Sequence, residues 1–325
     1  MPMTSMDVGP ALQRWPGLNG ARTNLVNHSE NQTFRVDTAD GQCFMLRVHR
    51  AGYQSTLSIQ SELAWLQALQ RDTSLPIPQP IAGCDGELLQ RFIAPDGSVR
   101  MAVLFDYIPG HEPVLPDNLD GLFGTLGSYA ATLHQHVTTW QRPADFERPS
   151  WQAATILDID GPWGDWRVAP GVAAHNRPIL DRLDAMLWQR LADYGMDADR
   201  YGLIHADMRL GNVLVDGENV SLIDFDDCGF CWFTYDFAAA ISFHETSPAI
   251  PALRSAWIEH YQTVRPLNDR DLKSIDSMVM LRRMALLAWI GSHAETELAQ
   301  QYMPGFADGT AALAERYLRG AIWPE

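Results

Sequence analysis

Residues 205–227 hold the pattern that most constrains how this chain folds. Two short apolar runs rich in β-branched residues, 213–215 and 220–223, are separated by the turn-forming sequence Asp-Gly-Glu-Asn at 216–219. Strand-length apolar runs joined by such a turn predict a β-hairpin. The sequence on either side of this hairpin is therefore expected to be brought together at its open end.

Three oxygen-bearing side chains flank the predicted hairpin. Asn212 lies where the chain enters the first strand, Asp224 lies just after the second, and Asp207 precedes Asn212 by five residues. Mg²⁺ prefers one or two protein oxygens together with phosphate oxygens and water, which Asn212 and Asp224 could supply. Phosphoryl transfer needs little else from a protein except one carboxylate that orients the attacking hydroxyl. The alternative is that these residues only cap and bend the backbone, but their order around one hairpin favours a site for ATP and Mg²⁺.

This part of the chain resembles a known family. The motif His205-x-Asp207-x-x-x-x-Asn212, followed by Ile223-Asp224-Phe225-Asp226, is similar to the catalytic and metal-binding segments of the aminoglycoside phosphotransferase, choline kinase and homoserine kinase group. In that family an Asp on a following helix braces the catalytic loop, and Asp236 matches it. The resemblance implies an α+β, two-lobed protein-kinase-like fold with a small antiparallel-sheet N-terminal lobe and a larger, mostly helical C-terminal lobe. We expect these lobes at residues 1–105 and 106–325.

The resemblance also implies roles for individual residues. Asp207 is expected to accept a hydrogen bond from the acceptor hydroxyl and to take its proton late, while Asn212 and Asp224 bind Mg²⁺. His205 is expected to orient the catalytic loop rather than to act as the base. Arg209 stands where protein kinases often place a Lys, and we infer that it neutralises the transferred phosphoryl group. The alternative for Arg209 is an exposed loop cation.

A small sheet is predicted before residue 106. The β-type runs 32–37 and 42–50 are joined by a plausible hairpin, and alternation along the second run puts Leu46 on the apolar face and Arg47 on the opposite face. In the kinase-like lobe this second position is usually a Lys that holds the ATP phosphates and pairs with a Glu on the next helix. Glu62, within a stretch of helical spacing, is the expected partner. The alternative is a surface Arg on an edge strand.

Other nucleotide contacts follow from the resemblance. The loop 27–32 lies where nucleotide kinases cover the phosphates, but it lacks the glycines that favour close backbone approach; Asn31 is the residue there that matches related phosphotransferases. The inter-lobe hinge, where backbone would meet adenine, is predicted at Phe105, Asp106, Tyr107 and Ile108. The sequences 46–50 and 61–66 are similar to the bacterial stress-response Ser/Thr kinase branch.

Composition excludes some classes of protein. The 325 residues are 46% hydrophobic, enough for a sizeable core, and carry a formal net charge of −16. This charge argues against a general nucleic-acid surface, which needs a basic stripe. No apolar run reaches membrane-spanning length, and the first residues do not resemble a secretion signal. We therefore expect a cytoplasmic protein without nucleic-acid or membrane partners.

Two motifs are interpreted as structural. Cys228 and Cys231 have CxxC spacing, but no second Cys or His pair with suitable spacing accompanies them, so free thiols are expected and a redox switch remains the alternative. His134 and His136 lie on a predicted helix at a spacing that diverges around the axis. They are expected to be core or capping residues rather than metal ligands.

The acceptor is not determined by these residues. A pocket near Asp226, Asp227 and Glu245 would suit a small amine-bearing alcohol such as homoserine, choline or an aminosugar, and the turn-rich stretch 158–167 either contributes to that pocket or is a packed surface loop. A protein Ser/Thr acceptor is the second possibility. The third is a pseudokinase that binds nucleotide without turnover, to which the missing glycines and Arg47 would point.

Overall fold

A computed structural model describes residues 6–28, 31–114, 119–320 and 322–323 of the chain. Within these ranges the strands are β1 (Arg22–His28), β2 (Gln32–Asp37), β3 (Cys43–Val48), β4 (Pro80–Ile81), β5 (Gln90–Ile93), β6 (Val99–Asp106), β7 (Tyr201–Ile204), β8 (Val213–Asp216), β9 (Asn219–Leu222) and β10 (Gly229–Trp232). The helices there are α1 (Gly9–Leu12), α2 (Thr56–Asp72), α3 (Asp120–Thr139), α4 (Ala153–Ile156), α5 (Arg177–Tyr194), α6 (Tyr235–Ala240), α7 (Ile250–Gln262), α8 (Asp269–Ser292), α9 (Glu297–Tyr302) and α10 (Phe306–Arg319).

The chain divides into two compact units. The first contains the described residues up to His111 together with Arg142–Arg148 and Leu214–Asp226, and the second contains Glu112–Gln141, Pro149–Val213 and the chain from Asp227 onwards. Two later segments of the sequence thus belong to the first unit. The division of the chain into lobes at residues 105 and 106 remains a prediction from the sequence.

An antiparallel sheet forms the centre of the first unit. Its strand order is β1-β2-β3-β6-β4, and β5 also pairs with β6. The predicted hairpin between β2 and β3 is present, and it closes with a hydrogen bond of 2.9 Å from the Thr38 amide to the Gln42 carbonyl. The second predicted hairpin is also present, because β8 pairs with β9 and the linking Gly217 adopts a φ of 60°. Glycine adopts this left-handed conformation without steric penalty.

Alternation along β3 separates the core of the first unit from a charged face. Leu46 and Val48 are buried in an apolar cluster that includes Leu12 and Trp15 from the N-terminal segment. Arg47, between them, faces the other side of the sheet and contacts Glu62 of α2. The predicted alternation is therefore confirmed, and the arginine is buried rather than at the surface.

Helices dominate the second unit. Helices α3 and α7 approach closely at Gly127, where an added Cβ would lie 2.3 Å from the Trp257 carbonyl oxygen. Helix α8 is buried along most of its length and packs against α5, α6 and α10. Strands β7 and β10 form a separate antiparallel pair. None of the helices in the described ranges is long and apolar enough to cross a membrane.

One predicted helix is shorter than the sequence indicated. The residue pattern of 234–243 predicts a helix over this whole range, but α6 ends at Ala240. Phe243 adopts a φ of 70°, in the left-handed region that a bulky residue enters only when its surroundings impose it. The helix cannot continue through that conformation, and the sequence alone gives no sign of it.

Candidate functional site

The loop that carries Asp207 lies in the second unit, after β7 and before β8. Ala206 has a φ of 66°, a strained conformation for a residue with a side chain. Asp236, in the first turn of α6, stabilises this backbone: its carboxylate accepts hydrogen bonds from the amides of His205 at 3.2 Å and Ala206 at 2.8 Å. The contact expected for the bracing Asp is therefore present.

The bracing carboxylate has a buried imidazole as a further partner. His134 Nε2 lies 3.0 Å from Asp236 Oδ2, and His134 Nδ1 lies 3.0 Å from the Tyr261 hydroxyl. Burial lowers the pKa of His134, although the Asp236 carboxylate opposes this effect. Because a carboxylate only accepts, the neutral ring carries its proton on Nε2 and accepts from Tyr261. His134 is thus a hydrogen-bonded core residue, as predicted.

Asp207 is held through both of its carboxylate oxygens. The Asn212 side-chain amide donates to Oδ2 at 2.7 Å and to the Asp207 carbonyl at 2.8 Å. Arg282 donates to Oδ1, and Arg209 Nε lies 3.4 Å from Oδ2. Burial would raise the pKa of Asp207, but the charges of Arg282 and Arg209 outweigh it and the pKa is lowered. The carboxylate is therefore ionised at neutral pH and keeps lone pairs for a substrate hydroxyl.

His205 and Arg209, the other two predicted residues of this loop, also make contacts within the loop. His205 is fully buried, and its Nδ1 accepts a hydrogen bond of 3.3 Å from the Asp207 amide. This contact suits the predicted role of orienting the loop. The Arg209 side chain is 24% exposed and lies over Gly211, where a Cβ would be 2.1 Å from Arg209 Nη1. Arg209 is thus the more accessible of the two guanidinium groups beside Asp207.

Sequence reasoning missed Arg282, which lies 75 residues after Asp207 in helix α8. Arg282 and Arg283 interrupt an apolar run within α8, and both are nearly fully buried. A buried charge must be paired, so this doublet was a signal that two acidic partners exist elsewhere in the chain. The partner of Arg283 is Glu245, at 2.6 Å.

The first unit contains the predicted nucleotide-binding pair. Arg47 Nη2 lies 2.7 Å from both carboxylate oxygens of Glu62, and Nη1 lies 3.6 Å from Asp224 and 3.7 Å from Asp226. Burial would lower the pKa of Arg47, but these three carboxylates outweigh it and the pKa is raised. Burial raises the pKa of Glu62, and Arg47 opposes that rise. The ionised state of Glu62 therefore depends on the guanidinium, which does not lose its proton in proteins.

Asp226 organises the surroundings of this pair. Its Oδ2 accepts a hydrogen bond of 2.8 Å from Asn31, and its carbonyl accepts one from Arg148. Arg148 also donates to the Ser58 carbonyl at 3.1 Å, which ties the start of α2 to Asp226. The contact of Asn31 is therefore with Asp226. Ser29 and Glu30 of the predicted phosphate-covering loop lie outside the described residues.

The predicted hinge begins inside the sheet. Phe105 pairs with Met45 of β3, and β6 ends at Asp106, whose amide donates to the Gln79 carbonyl at 3.0 Å. Tyr107 and Ile108 lie beyond the strand and are only partly buried. Of the predicted hinge amides, that of Asp106 is thus already used within the protein. Contact of any of these residues with adenine remains a prediction.

The two predicted metal ligands have the chemistry that Mg²⁺ prefers. Asn212 directs its amide nitrogen to Asp207, which leaves its oxygen as the ligand atom. Asp224 offers a carboxylate that is 43% exposed and is held at a φ of 62°. No group of three or more His, Cys, Asp or Glu suited to a metal occurs among the described residues. Mg²⁺ does not require such a group, because phosphate oxygens and water complete its shell.

The structure also corrects part of the predicted acceptor pocket. Glu245 is fully buried and paired with Arg283, so it is not available to a cationic acceptor. In the stretch 158–167, Trp166 donates to Asp184 of α5 at 2.8 Å and is buried, whereas the Trp163 ring lies 5.6 Å from the Arg282 guanidinium. Both tryptophans of this stretch are therefore buried, and Trp163 lies beside the residue that holds Asp207.

The thiols of the CxxC sequence are buried. Cys228 and Cys231 are both fully buried. Burial raises the pKa of Cys231 well above its ordinary value, and its thiol donates to the Trp151 carbonyl at 2.8 Å. A thiol in this state is a poor nucleophile and metal ligand. These properties favour the interpretation of Cys231 as a structural thiol.

The sheet of the first unit, the helices of the second and the braced Asp207 loop define a phosphotransferase of the protein-kinase-like class. The profile of the phosphotransferase enzyme family matches residues 23–271, and the chain belongs to this family. The family predicted from the motif around Asp207 is thus confirmed. The chain is an enzyme that uses an alcohol group as phosphoryl acceptor.

Individual relatives agree with this assignment. The chain is 39% identical to a microcompartment-associated aminopropanol kinase, with a TM-score of 0.87 over 95% of this chain and 96% of the other. It is 19% identical to an amicoumacin kinase solved with AMP-PNP, Ca²⁺ and Ami, with a TM-score of 0.75 over 97% and 93%. It is 27% identical to a homoserine kinase from Gluconobacter oxydans over 77% of this chain and 75% of the other. The predicted two-lobed α+β fold is thereby confirmed.

Proposed function

We propose that this chain is an ATP- and Mg²⁺-dependent kinase that transfers the γ-phosphoryl group to the hydroxyl of a small amino alcohol. The observation that carries the proposal is the Asp207 carboxylate, which is ionised, hydrogen-bonded to Asn212 and fixed on a loop that Asp236 braces. The 39% identity to an aminopropanol kinase supports the choice of acceptor class.

Asp207 supplies the protein's part in the chemistry. Its free lone pairs accept a hydrogen bond from the acceptor hydroxyl and hold the oxygen in line with the γ-phosphorus. The proton passes to the carboxylate late, because phosphoryl transfer proceeds through a loose transition state in which the nucleophile carries little charge. An ionised carboxylate of low basicity is sufficient for this role. Arg209, the more exposed cation beside Asp207, is positioned to offset negative charge on the transferred group.

The nucleotide and the metal follow from the family and from the donor atoms. A related amicoumacin kinase binds AMP-PNP and Ca²⁺, which supports a nucleoside triphosphate with a divalent cation. We infer that Asn212 and Asp224 hold the cation and that Mg²⁺ is the natural ion, since an amide oxygen and a carboxylate suit a hard cation. When bound, Mg²⁺ neutralises phosphate charge. Arg47, kept in place by Glu62, is the proposed phosphate contact of the first unit.

The acceptor class rests on the relatives. Those described above are named for aminopropanol, amicoumacin and homoserine, and none is named for a protein substrate. The protein-kinase alternative thus has no support from the comparisons. A small alcohol that carries an amine remains as the best-supported acceptor.

A panel of acceptors tests this proposal. ATP consumption is measured with aminopropanol, homoserine, choline and aminosugars, and with propanediol as the matched alcohol without an amine; products are identified by mass spectrometry. We expect a phosphate monoester of an amino alcohol and much slower turnover of propanediol. Turnover of a test protein alone would refute the acceptor class. Nucleotide binding without turnover of any acceptor would favour the pseudokinase.

The variant Asp207→Ala tests the role of the carboxylate. We expect turnover to fall by at least about a hundredfold, as is usual when a positioned acid or base is removed, while ATP still binds in a calorimetric titration. Wild-type turnover in this variant would show that the proposed role of Asp207 is wrong.

A further inference from the structure

Within the described part of the chain, Arg282 donates hydrogen bonds to groups of the catalytic loop and of the chain just after α6. Its Nε donates to the Ser242 hydroxyl at 2.9 Å, its Nη1 donates to the Ala206 carbonyl at 3.4 Å, and its Nη2 donates to Asp207 Oδ1. The residue is 2% exposed. With its donors directed to these groups and almost no exposed surface, Arg282 is not placed to contact a phosphate itself.

Arg282 and Asp236 hold the same short segment from two different helices. Asp236 in α6 accepts from the amides of His205 and Ala206, and Arg282 in α8 donates to the Ala206 carbonyl and to the Asp207 carboxylate. Ala206 lies between these contacts with its positive φ of 66°. A strained residue persists only when its surroundings determine it from several sides, and Arg282 supplies one of those sides.

Two aromatic rings lie close to the Arg282 guanidinium. Trp163 has its ring centre 5.6 Å from the Arg282 guanidinium carbon, and Tyr235 has its ring centre 5.9 Å away. Cation–π attraction to these rings adds to the hydrogen bonds that orient the guanidinium. Phe243, directly after Ser242, has the second strained backbone in this neighbourhood, with a φ of 70°.

We infer that Arg282 is a positioning residue for the reaction: it fixes the orientation of the Asp207 carboxylate toward the acceptor hydroxyl from a helix that lies outside the catalytic motif. This inference rests on the proposed function. Asn212 holds Oδ2 from within the motif, while Arg282 holds Oδ1, so the two oxygens have separate supports. Small misplacements of a catalytic group lower rates by about a hundredfold.

The neighbouring Arg283 provides a matched control. It lies on the same helix, is 4% exposed, and is bound to the carboxylate of Glu245, to Thr310 and to the Phe306 carbonyl. Both arginines thus bind a buried or partly buried carboxylate through comparable contacts, but only the carboxylate bound to Arg282 is placed in the reaction. Substituting each in the same way separates positioning from general stabilisation of the fold.

The test compares Arg282→Lys, Arg282→Gln and Ser242→Ala with the control Arg283→Lys in the full-length enzyme. The substrate is aminopropanol, or the panel alcohol that the wild type phosphorylates fastest. For Arg282→Gln we expect kcat to fall by about a hundredfold while the KM for ATP stays within about twofold. In Arg282→Lys, kcat should fall by a smaller factor. Ser242→Ala removes only the contact that orients the guanidinium, so kcat should fall less still while the KM for ATP is unchanged. Arg283→Lys should lower the Tm and leave kcat unchanged.

Chemical rescue distinguishes the role further. In Arg282→Ala, added guanidinium at millimolar concentration should restore part of kcat, and it should not raise the kcat of Arg283→Lys. Wild-type kcat in Arg282→Gln, combined with an inactive Asp207→Ala, would refute this inference and leave the proposed function intact. An equal loss of kcat in the Arg282 and Arg283 variants, in proportion to Tm and without rescue, would show a structural role only. Activity in Asp207→Ala would instead refute the proposed function.

Discussion

Arg47 and Glu62 form a bidentate ion pair inside the first unit, with Arg47 Nη2 2.7 Å from each Glu62 oxygen. Both side chains are almost completely excluded from solvent. Removal of one partner from a buried pair leaves an uncompensated charge, which typically lowers stability by about 3–5 kcal/mol. The pair therefore links the stability of this unit to the position of the proposed phosphate contact.

Arg47 variants should separate these two effects. We expect Arg47→Lys to keep measurable ATP affinity and Arg47→Ala to lose much of it in calorimetric titrations. Arg47→Met should also destabilise the protein in urea by about 3–5 kcal/mol, and the double variant Arg47→Met/Glu62→Gln should regain most of that stability without regaining ATP affinity. Arg91→Ala, an exposed arginine of the same sheet, is the control. Equal affinities in all these proteins would remove Arg47 from the nucleotide site.

Asp224 should matter for the metal rather than for the fold. The affinity of the wild type for an ATP analogue is expected to rise on addition of Mg²⁺. In Asp224→Ala and in Asn212→Ala this increase in affinity should be smaller by a factor of at least about ten, because even outer-shell partners of a metal contribute as much. Asp216→Ala, at the exposed end of the same hairpin, should behave as the wild type. If Mg²⁺ enhanced binding equally in all four proteins, neither residue would be a ligand.

The buried His49 should make stability depend on pH. Burial and the nearby Arg47 lower the pKa of His49 to about 3, and neither ring nitrogen has a hydrogen-bond partner among the described residues; Asp226 and Arg148 are the other charged groups that face it. In the unfolded chain the pKa of His49 is about 6.5. Below that pH the unfolded state therefore binds a proton at His49 that the folded state does not bind. The free energy of unfolding should therefore be unaffected above pH 6.5 and decrease as the pH falls from about 6.5 toward 3.

Over that pH range the free energy of unfolding is expected to decrease by on the order of a few kcal/mol, because each tenfold difference in proton affinity between the two states contributes about 1.4 kcal/mol. Urea unfolding of the wild type and His49→Gln at pH 7 and pH 4.5 measures it, and the variant should lose less stability between the two values. His175→Gln, whose side chain is 66% exposed, should follow the wild type. Identical slopes for the wild type and His49→Gln would contradict the assignment.

Two glycines of α3 should respond in opposite ways to alanine. At Gly127 a methyl group would lie 2.3 Å from the Trp257 carbonyl, so Gly127→Ala must separate α3 from α7 and should lower stability by about 1–3 kcal/mol. At Gly121 nothing lies within 4 Å, and Gly121→Ala should be neutral or stabilising by up to about 1 kcal/mol. Thermal unfolding of both variants checks this. A neutral Gly127→Ala would show that the helices separate easily.

Local patterns predicted much of what the structure contains. The hairpins β2–β3 and β8–β9, the helices α2 and α3, and the face on which Arg47 lies all follow from local spacing and turn chemistry. The contact between Arg47 and Glu62 needed the family resemblance as well, because helical spacing alone does not say which strand residue a helix faces. The end of α6 was missed, since the positive φ of Phe243 is imposed by its surroundings.

The sequence by itself determined which residues are candidates for the catalytic chemistry, because Asp207, Asn212 and Asp224 follow one another in a family-like order around one predicted hairpin. Tertiary structure alone decided what holds that loop in place: Asp236 with His134 from one side and Arg282 from another. The carboxylates that bind Arg282 and Arg283 are 75 and 38 residues away in sequence, and Ser58, which accepts from Arg148, is 90 residues away. A charged residue within an apolar run of the sequence indicates that a partner of opposite charge is needed. Which group that partner is depends on how distant segments pack in the folded protein.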